Sequence, residues 1–261
     1  MRQLFPPPGP GEAGGELSTG RLAELYAYPH PRGEPWVRAN MVAAVDGAAS
    51  VGGRSGGLSG AADRRLFGVL RSLADVILVG AGTARAEHYR PAQPASIQPA
   101  LRAGRPATPP IAVISGRLTV DPRTELFTAA PPDARTIVIT SEQAPAARRA
   151  AVAEHADVIV AGTGGVDLKA ALAGLAGRGY SRVLTEGGPH LLAELAAGGL
   201  LDELCLTISP LLAGPGPGRI LEGSPSLPGG LPVTLGHVLE DAGFLLCRYR
   251  CRPESPAQPP A

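Results

Sequence analysis

The chain has 261 residues, of which 44% are hydrophobic, and its formal net charge is +1. This length and composition suit one large domain or two small ones with a sizeable core, whereas the near-neutral charge disfavours a nucleic-acid-binding surface. No apolar run approaches the roughly 18 residues of a membrane span, and prolines interrupt the N-terminus, so neither a membrane protein nor a signal peptide is indicated. We therefore expect a cytoplasmic protein that binds neither nucleic acid nor membranes.

Strand and helix patterns alternate along most of the chain. Apolar runs bounded by turn signals predict strands at 36–44, 75–79, 111–114, 136–140, 157–160, 182–185, 203–210, 232–240 and 243–251. Apolar residues at helical spacing predict helices at 21–28, 61–73, 146–154, 168–176 and directly after 188.

This order predicts an α/β fold with a single domain over 21–251. Its central sheet is expected to be mostly parallel and flanked by helices. The last two strands are separated only by Asp241 and Ala242, which is typical of an antiparallel hairpin. Segments 1–20 and 252–261 are rich in Pro, Gly and Ser, so we expect them to be disordered tails.

The stretch from Arg182 to Leu192 combines a strand, a glycine turn and a helix. Gly187 and Gly188 permit backbone angles that a side chain would forbid, and they allow a ligand to approach the main chain closely. The helix that follows presents unpaired N–H groups and its positive dipole end, which favours a phosphate. Glu186 stands where open α/β sheets bind ligands. An acid beside an anion site is expected to contact a different part of the ligand.

A second glycine-rich turn, Gly80-Ala81-Gly82-Thr83, directly follows the strand predicted at 75–79. Two such turns at strand ends suit a ligand with a pyrophosphate, such as a dinucleotide, although either turn alone would be a weak signal in a chain with 35 glycines. Neither turn fits the G-x-G-x-x-G fingerprint, so a conventional Rossmann domain is not predicted.

The loop from Gly53 to Gly57 matches G-x-S-x-G, the nucleophile elbow of α/β hydrolases. That elbow requires a strand directly before the serine and a helix directly after it. Here the predicted strand ends near Ala44 and the helix begins near Ala61, so a hydrolase is disfavoured. We interpret Ser55 as a loop hydroxyl that can contact a ligand phosphate.

The histidines and cysteines show no metal-ligand spacing, so no metal site is predicted. His190 directly follows the glycine turn and can face the ligand, although a structural role is more common for such a residue. Arg71 lies at the end of its predicted helix, from where its side chain can turn towards an anion.

Four stretches together resemble the riboflavin-biosynthesis pyrimidine reductase family, whose fold is similar to that of dihydrofolate reductase. They are Val37 to Gly47, the helix and strand from Gly57 to Glu87, Ser115 after the third strand, and Leu184 to Leu212. The last is the most specific, with an E-G-G-P turn, a leucine-rich helix, L-x-D-E-L and a strand ending in P-x-L-x-G.

The resemblance implies NADPH-dependent reduction of a ribosylaminopyrimidine 5′-phosphate, of the 5-amino-6-(5-phosphoribosylamino)uracil reductase type. Hydride would go from the nicotinamide to C1′ of the opened ribosyl unit. The resemblance also implies a homodimer. Members of the family often carry an N-terminal zinc deaminase domain, which this sequence lacks, so a reductase alone is expected.

The resemblance also implies site residues at matching positions. The implied cofactor-binding residues are Val42, Ala43, Gly80, Gly82, Thr83, Glu87, Ser115, Gly187, Gly188, Pro189, His190 and Leu191. The implied substrate-binding residues are Asn40, Ser55, Arg71, Arg90 and Glu186, and the implied catalytic residues are Asp46 and Glu186.

Chemical roles follow for some of these residues. Arg71 and Arg90 would clamp the sugar phosphate, and Glu186 would accept hydrogen bonds from the pyrimidine amino edge or the sugar hydroxyls. Asp46 would assist proton delivery, or it would simply close an Asp-Gly turn, and both interpretations are open.

The sequence departs from the family pattern in places. Bifunctional bacterial members usually carry lysine where Asn40 stands, while stand-alone archaeal and fungal relatives carry asparagine. The loop at 48–60 is also richer in glycine than is usual. Two alternatives therefore remain: reduction of a pterin or folate on the same fold, and a non-catalytic dinucleotide-binding protein.

Overall fold

A computed structural model of the protein describes residues 1–7, 15–29, 34–223 and 225–252. Its strands are β1 Arg2–Phe5, β2 Trp36–Ala44, β3 Val76–Gly80, β4 Ile111–Ile114, β5 Ile137–Thr140, β6 Asp157–Val160, β7 Arg182–Thr185, β8 Glu203–Ser209, β9 Thr234–Asp241 and β10 Phe244–Arg250. Its α-helices are α1 Thr19–Leu25, α2 Ala61–Leu73, α3 Ala81–Ala86, α4 Glu125–Thr128, α5 Ala146–Ala153, α6 Leu168–Ala176 and α7 Pro189–Ala197. Short 3-10 helices lie at Ser55–Gly57, Pro94–Ser96, Pro99–Arg102 and Pro132–Ala134.

The strands form one sheet in the order β1-β9-β10-β8-β2-β7-β3-β4-β5-β6. The strands from β8 to β6 run parallel, while β10, β9 and β1 continue the sheet in antiparallel pairs. Most of the parallel strands are short apolar runs buried on both faces, as expected where helices cover both sides of a sheet. The predicted α/β fold, with its parallel sheet and C-terminal antiparallel hairpin, is confirmed.

Helices cover both faces of this sheet. On one face, Leu175 of α6 and Leu195 of α7 pack against Val37 and Val183. On the other face lie α1 and α2 over the centre and the antiparallel strands, and α3 and α5 over β3 to β5. Because β2, β7 and β3 are neighbours, the segments after their carboxyl ends converge at one edge of the sheet, between α2 and α7. None of the helices in the described ranges is long and apolar enough to cross a bilayer.

The N-terminal segment differs from the predicted disordered tail at 1–20. Residues 2–5 form β1, an edge strand paired with β9, and the Met1 ammonium lies 3.3 Å from a carboxylate oxygen of Asp241. Ser18 caps α1 by accepting a hydrogen bond from the Arg21 N–H. An edge strand gains its stability from backbone pairing with a distant hairpin, so it needs no apolar pattern of its own. Segment 8–14, and 253–261 of the predicted C-terminal tail, lie outside the described residues.

Candidate active site

A cavity of about 740 Å³ opens at the edge of the sheet where β2, β7 and β3 end. This volume lies in the range of small-molecule sites, about 300–1,000 Å³. One wall comes from α2 and the opposite one from the start of α7. The predicted site residues that line it are Asn40, Val42, Ser55, Arg71, Gly82, Thr83, Glu87, Arg90, Glu186, Gly188, Pro189 and His190.

The two predicted glycine turns contact each other at this edge. The N–H of Gly80 donates to the carbonyl of Gly187 at 2.8 Å, and a Cβ at position 188 would lie 2.2 Å from Oγ1 of Thr83. A side chain at 188 would displace the Thr83 side chain, so glycine at this position allows the two segments to approach this closely. Gly187 has a φ of 83°, and its peptide bond to Gly188 is cis.

The segment after Gly80 is a helix start rather than a free turn. Helix α3 begins at Ala81, because an alanine-rich segment has a high helix propensity. The other turn leads into α7, whose first residue is Pro189, a residue favoured at that position. Gly188, Pro189 and His190 all line the cavity, so the amino end of α7 and its unpaired N–H groups border it.

Glu186 is held by an arginine and a tyrosine. Nε and Nη2 of Arg71 donate to its two carboxylate oxygens, each at 2.7 Å, and the hydroxyl of Tyr89 donates to Oε2 at 2.6 Å. The Arg71 guanidinium also lies 4.2 Å from the Phe67 ring centre. Burial acts to lower the pKa of Arg71, but the Glu186 charge outweighs it and the pKa is raised. Burial, reinforced by Glu186, raises the pKa of Tyr89, so its hydroxyl stays protonated.

Ser55 is engaged with a carboxylate rather than with a histidine. Its N–H and hydroxyl both donate to Oε1 of Glu87, and it begins a 3-10 helix after an extended Arg54. Among the described residues no Ser-His pair forms at this loop, since His88 instead lies 2.9 Å from Arg54. The geometry of a nucleophile elbow is therefore absent at this position. Ser55 is a loop residue whose two donors are engaged by Glu87, and its contact with a ligand phosphate stays a prediction.

The cavity arginines differ in how they are paired. Arg71 is neutralised by Glu186, and Arg90 pairs with Glu125 at 2.6 Å near the surface. Among the described residues, the Arg64 side chain donates to one acceptor, the backbone carbonyl of Ser59 at 3.3 Å. Within the described parts of the chain, neither Arg64 nor Arg219 makes an ion pair. The cavity therefore carries two cations without a carboxylate partner.

Six predicted site residues lie outside the cavity lining: Asp46, Ala43, Gly80, Ser115, Gly187 and Leu191. The Asp46 carboxylate accepts backbone hydrogen bonds from Gly214 at 2.8 Å and Ala48 at 3.4 Å, and chiefly the Gly214 N–H lowers its pKa. This position favours the Asp-Gly turn interpretation over proton delivery. Ser115 is buried and accepts a hydrogen bond from the Thr119 N–H. The roles implied for these residues stay predictions.

Sequence reasoning missed Arg64 and Tyr89, which both line the cavity. Arg64, Phe67 and Arg71 are spaced three and seven apart on α2, so helical periodicity already places them on one face. Tyr89 has no comparable signal, because it lies in irregular sequence after α3. Within the ranges that the structure describes, no group of three or more His, Cys, Asp or Glu side chains is arranged to hold a metal ion.

Known proteins that are similar to this chain carry related names. A 2,5-diamino-6-ribosylamino-4(3H)-pyrimidinone 5′-phosphate reductase of Methanothermobacter thermautotrophicus is 33% identical over 184 residues, which is 69% of this chain and 80% of the relative. The protein of the same name from Archaeoglobus fulgidus is 31% identical over 183 residues, 69% of this chain and 82% of the relative. The crystal structure of a pyrimidine reductase-like protein from Corynebacterium diphtheriae is 28% identical with a TM-score of 0.78, and the match covers 91% of this chain and 100% of that one.

The family match extends over most of the chain. Residues 35–242 match the RibD C-terminal domain family, a range that includes strands β2 to β9, Glu186 and its partners Arg71 and Tyr89. The family resemblance predicted from the sequence is confirmed. The chain belongs to the RibD C-terminal domain family.

Proposed function

We propose that this protein is an NADPH-dependent reductase of riboflavin biosynthesis that acts on a ribosylaminopyrimidine 5′-phosphate. One arrangement carries the proposal: a single cavity joins the amino end of α7 to an acid, Glu186, and to the α2 face that carries Arg64 and Arg71. The names of the two archaeal relatives, which are reductases of such a phosphate, support the reaction class.

The residues at the α7 side fit a nicotinamide dinucleotide. Gly188 and Pro189 leave the first-turn N–H groups of α7 facing the cavity, where they can donate to a pyrophosphate. Thr83 adds a hydroxyl next to this turn. The dinucleotide, when bound, supplies the hydride, so the protein requires no nucleophile or metal of its own for the reduction.

The substrate phosphate is best matched by Arg64. Arg71 was expected to bind it, but its Nε and Nη2 groups already donate to the carboxylate of Glu186. Within the described residues Arg64 has no carboxylate partner, and it lies on the same face of α2. We therefore assign the phosphate to Arg64, with Arg90 at the rim, and the pyrimidine or sugar donors to Glu186 and Asn40.

The direct test is oxidation of NADPH by the purified protein. Three substrates are compared: the 2,5-diamino-6-ribosylamino-pyrimidinone phosphate, the corresponding uracil phosphate, and dihydrofolate. Turnover with either pyrimidine phosphate supports the proposal, and the ratio of kcat/KM values identifies the preferred ring. Turnover with dihydrofolate alone, or NADPH binding without any turnover, would contradict it. Replacing NADPH with NADH in the same assay tests the cofactor preference.

We also propose, from family resemblance, that the protein is a cytoplasmic homodimer. Sedimentation equilibrium of the purified protein measures the oligomeric state, and a monomer at micromolar concentration would contradict this part of the proposal. Cell fractionation of the tagged protein checks its location.

A further inference from the structure

The carboxylate of Glu186 has a limited number of free acceptor positions. A carboxylate offers about four such positions, two on each oxygen. Arg71 Nη2 and the Tyr89 hydroxyl both donate to Oε2, whereas Arg71 Nε is the one donor to Oε1 among the residues that the structure describes. Oε2 is therefore fully occupied, and one acceptor position remains on Oε1.

Tyr89 reaches Oε2 because of how helix α3 ends. His88 has a φ of 52°, its N–H donates to the carbonyl of Arg85, and the Tyr89 N–H donates to the carbonyl of Ala84. These two bonds form a Schellman motif, which satisfies the last carbonyls of the helix and reverses the chain. The Tyr89 backbone is thus fixed, and its ring lies 5.9 Å from the Arg71 guanidinium.

The backbone of Glu186 is fixed as well. Its backbone N–H donates to the Leu78 carbonyl at 3.0 Å, which ties the end of β7 to β3. Its side chain is only 3% exposed and that of Arg71 is 13% exposed. Neither oxygen can change partners without leaving a donor unpaired inside the protein, which is unfavourable.

We propose that Tyr89 is a positioning residue that occupies Oε2 of Glu186 and so leaves a single acceptor, on Oε1, for the N–H or O–H of the substrate. This inference rests on the proposed function. Substrate bound through Oε1 has one orientation relative to the cofactor. With Oε2 open as well, the substrate can bind in a second orientation, in which C1′ is misplaced for hydride transfer.

The test is a double-mutant cycle of Tyr89→Phe and Glu186→Gln. Tyr89→Phe keeps the ring but removes the donor to Oε2. We expect kcat to fall about tenfold or more, as misplacement of reacting atoms predicts, while KM for the pyrimidine phosphate and Kd for NADPH change less than about threefold. Because Tyr89 acts through Glu186, adding Tyr89→Phe to Glu186→Gln should lower kcat by less than about twofold.

Tyr28→Phe is the matched control. Tyr28, like Tyr89, is half-buried, its ring lies 4.0 Å from the guanidinium of Arg38, and its hydroxyl donates to the Val183 carbonyl at the other end of β7. We expect Tyr28→Phe to keep the kcat of the parent protein. The free energy of unfolding is measured for each variant to separate stability from catalysis.

The outcomes separate the inference from the function on which it rests. Unchanged kcat in Tyr89→Phe, fully additive effects in the cycle, or an equal loss in Tyr28→Phe would each overturn the inference while leaving the reductase assignment in place. A parent protein that does not reduce any pyrimidine phosphate would overturn the proposed function, and the inference with it.

Discussion

The N–H and the hydroxyl of Ser55 both donate to Oε1 of Glu87, at 2.8 and 2.9 Å. The neighbouring residues are also in contact, since Nη2 of Arg54 lies 2.9 Å from Nε2 of His88. Two consecutive residues of the glycine-rich loop therefore contact the two residues that follow α3. Because Ser55 and Glu87 both line the cavity, these contacts fix the loop beside it.

Removing the Glu87 carboxylate should loosen this loop more than removing the Ser55 hydroxyl. Glu87→Ala loses both hydrogen bonds, whereas Ser55→Ala keeps the one from the backbone. Since a hydrogen bond to a charged group contributes about 1.5–3 kcal/mol, we expect KM for the pyrimidine phosphate to rise roughly tenfold or more in Glu87→Ala, and less in Ser55→Ala. Steady-state kinetics measure both, with the exposed Glu154→Ala as control. Equal KM values in Glu87→Ala and the parent would contradict the prediction.

Arg64 and its neighbour Arg65 offer a second comparison on one helix. Arg64 lines the cavity, whereas Arg65 pairs with Glu16 at 3.1 Å on the outside. We expect Arg64→Ala to raise KM for the phosphorylated substrate by tenfold to a hundredfold, the range for loss of a charge-assisted phosphate contact. Arg65→Ala should keep the parent KM.

The dephosphorylated substrate identifies the group that Arg64 binds. Without a phosphate, the parent and Arg64→Ala should have similar KM values, because the contact that the variant lost is missing from both complexes. If Arg64→Ala weakens both substrates equally, Arg64 binds another part of the ligand or only shapes the cavity.

The sequence was sufficient where the signal is local. Helices α2 and α6 and strands β2, β4 and β7 have the predicted limits, because an apolar period and flanking turn residues define each of them. Asp167, directly before α6, caps it by accepting a hydrogen bond from the Ala170 N–H, and this too is a local contact. Strand β1 was missed because its partner β9 is more than two hundred residues away and leaves no pattern in segment 2–5.

The same limit applies to the candidate site. The turn at Gly187 and Gly188 was identified from residue type, since Gly187 has a φ of 83°, which favours glycine, and Gly188 lies against Thr83. The partners of Glu186 could not be identified from the sequence, because Arg71 and Tyr89 are 115 and 97 positions away. Sequence reasoning placed Arg71 near an anion, but the anion is a carboxylate of the protein itself.

This buried pair predicts a measurable effect on stability. Arg71→Met leaves Glu186 with only the Tyr89 hydroxyl as a donor, and an uncompensated buried charge typically costs about 3–5 kcal/mol. We expect a loss of that size in the free energy of unfolding, measured with urea. Arg71→Met/Glu186→Gln should be more stable than Arg71→Met alone, since it carries no unpaired charge. If the double variant is less stable, the pair contributes through packing rather than charge.

His237 predicts a specific pH dependence. It is 4% exposed, and its ring lies 4.6 Å from the ring of Tyr26, next to a buried network in which Arg38 and Arg248 both donate to Glu203. Burial, and then the positive charge of Arg248, lower the pKa of His237 to about 4. The Glu203 carboxylate acts in the opposite direction but does not compensate for these effects.

The depressed pKa of His237 should make the folded state lose stability as the pH falls through the window from about 6.5 to about 4. In this window the unfolded chain binds a proton at His237 that the folded protein does not. From pH 7 to pH 5 we expect a loss of roughly 2 kcal/mol from this residue. The measurement is urea unfolding of the parent and of His237→Gln at both pH values. Whatever the overall stability of the variant, the parent should lose more stability than the variant between the two pH values, by that amount. Replacing the exposed His155 should leave the parent's dependence unchanged, and equal slopes for the parent and His237→Gln would contradict the prediction.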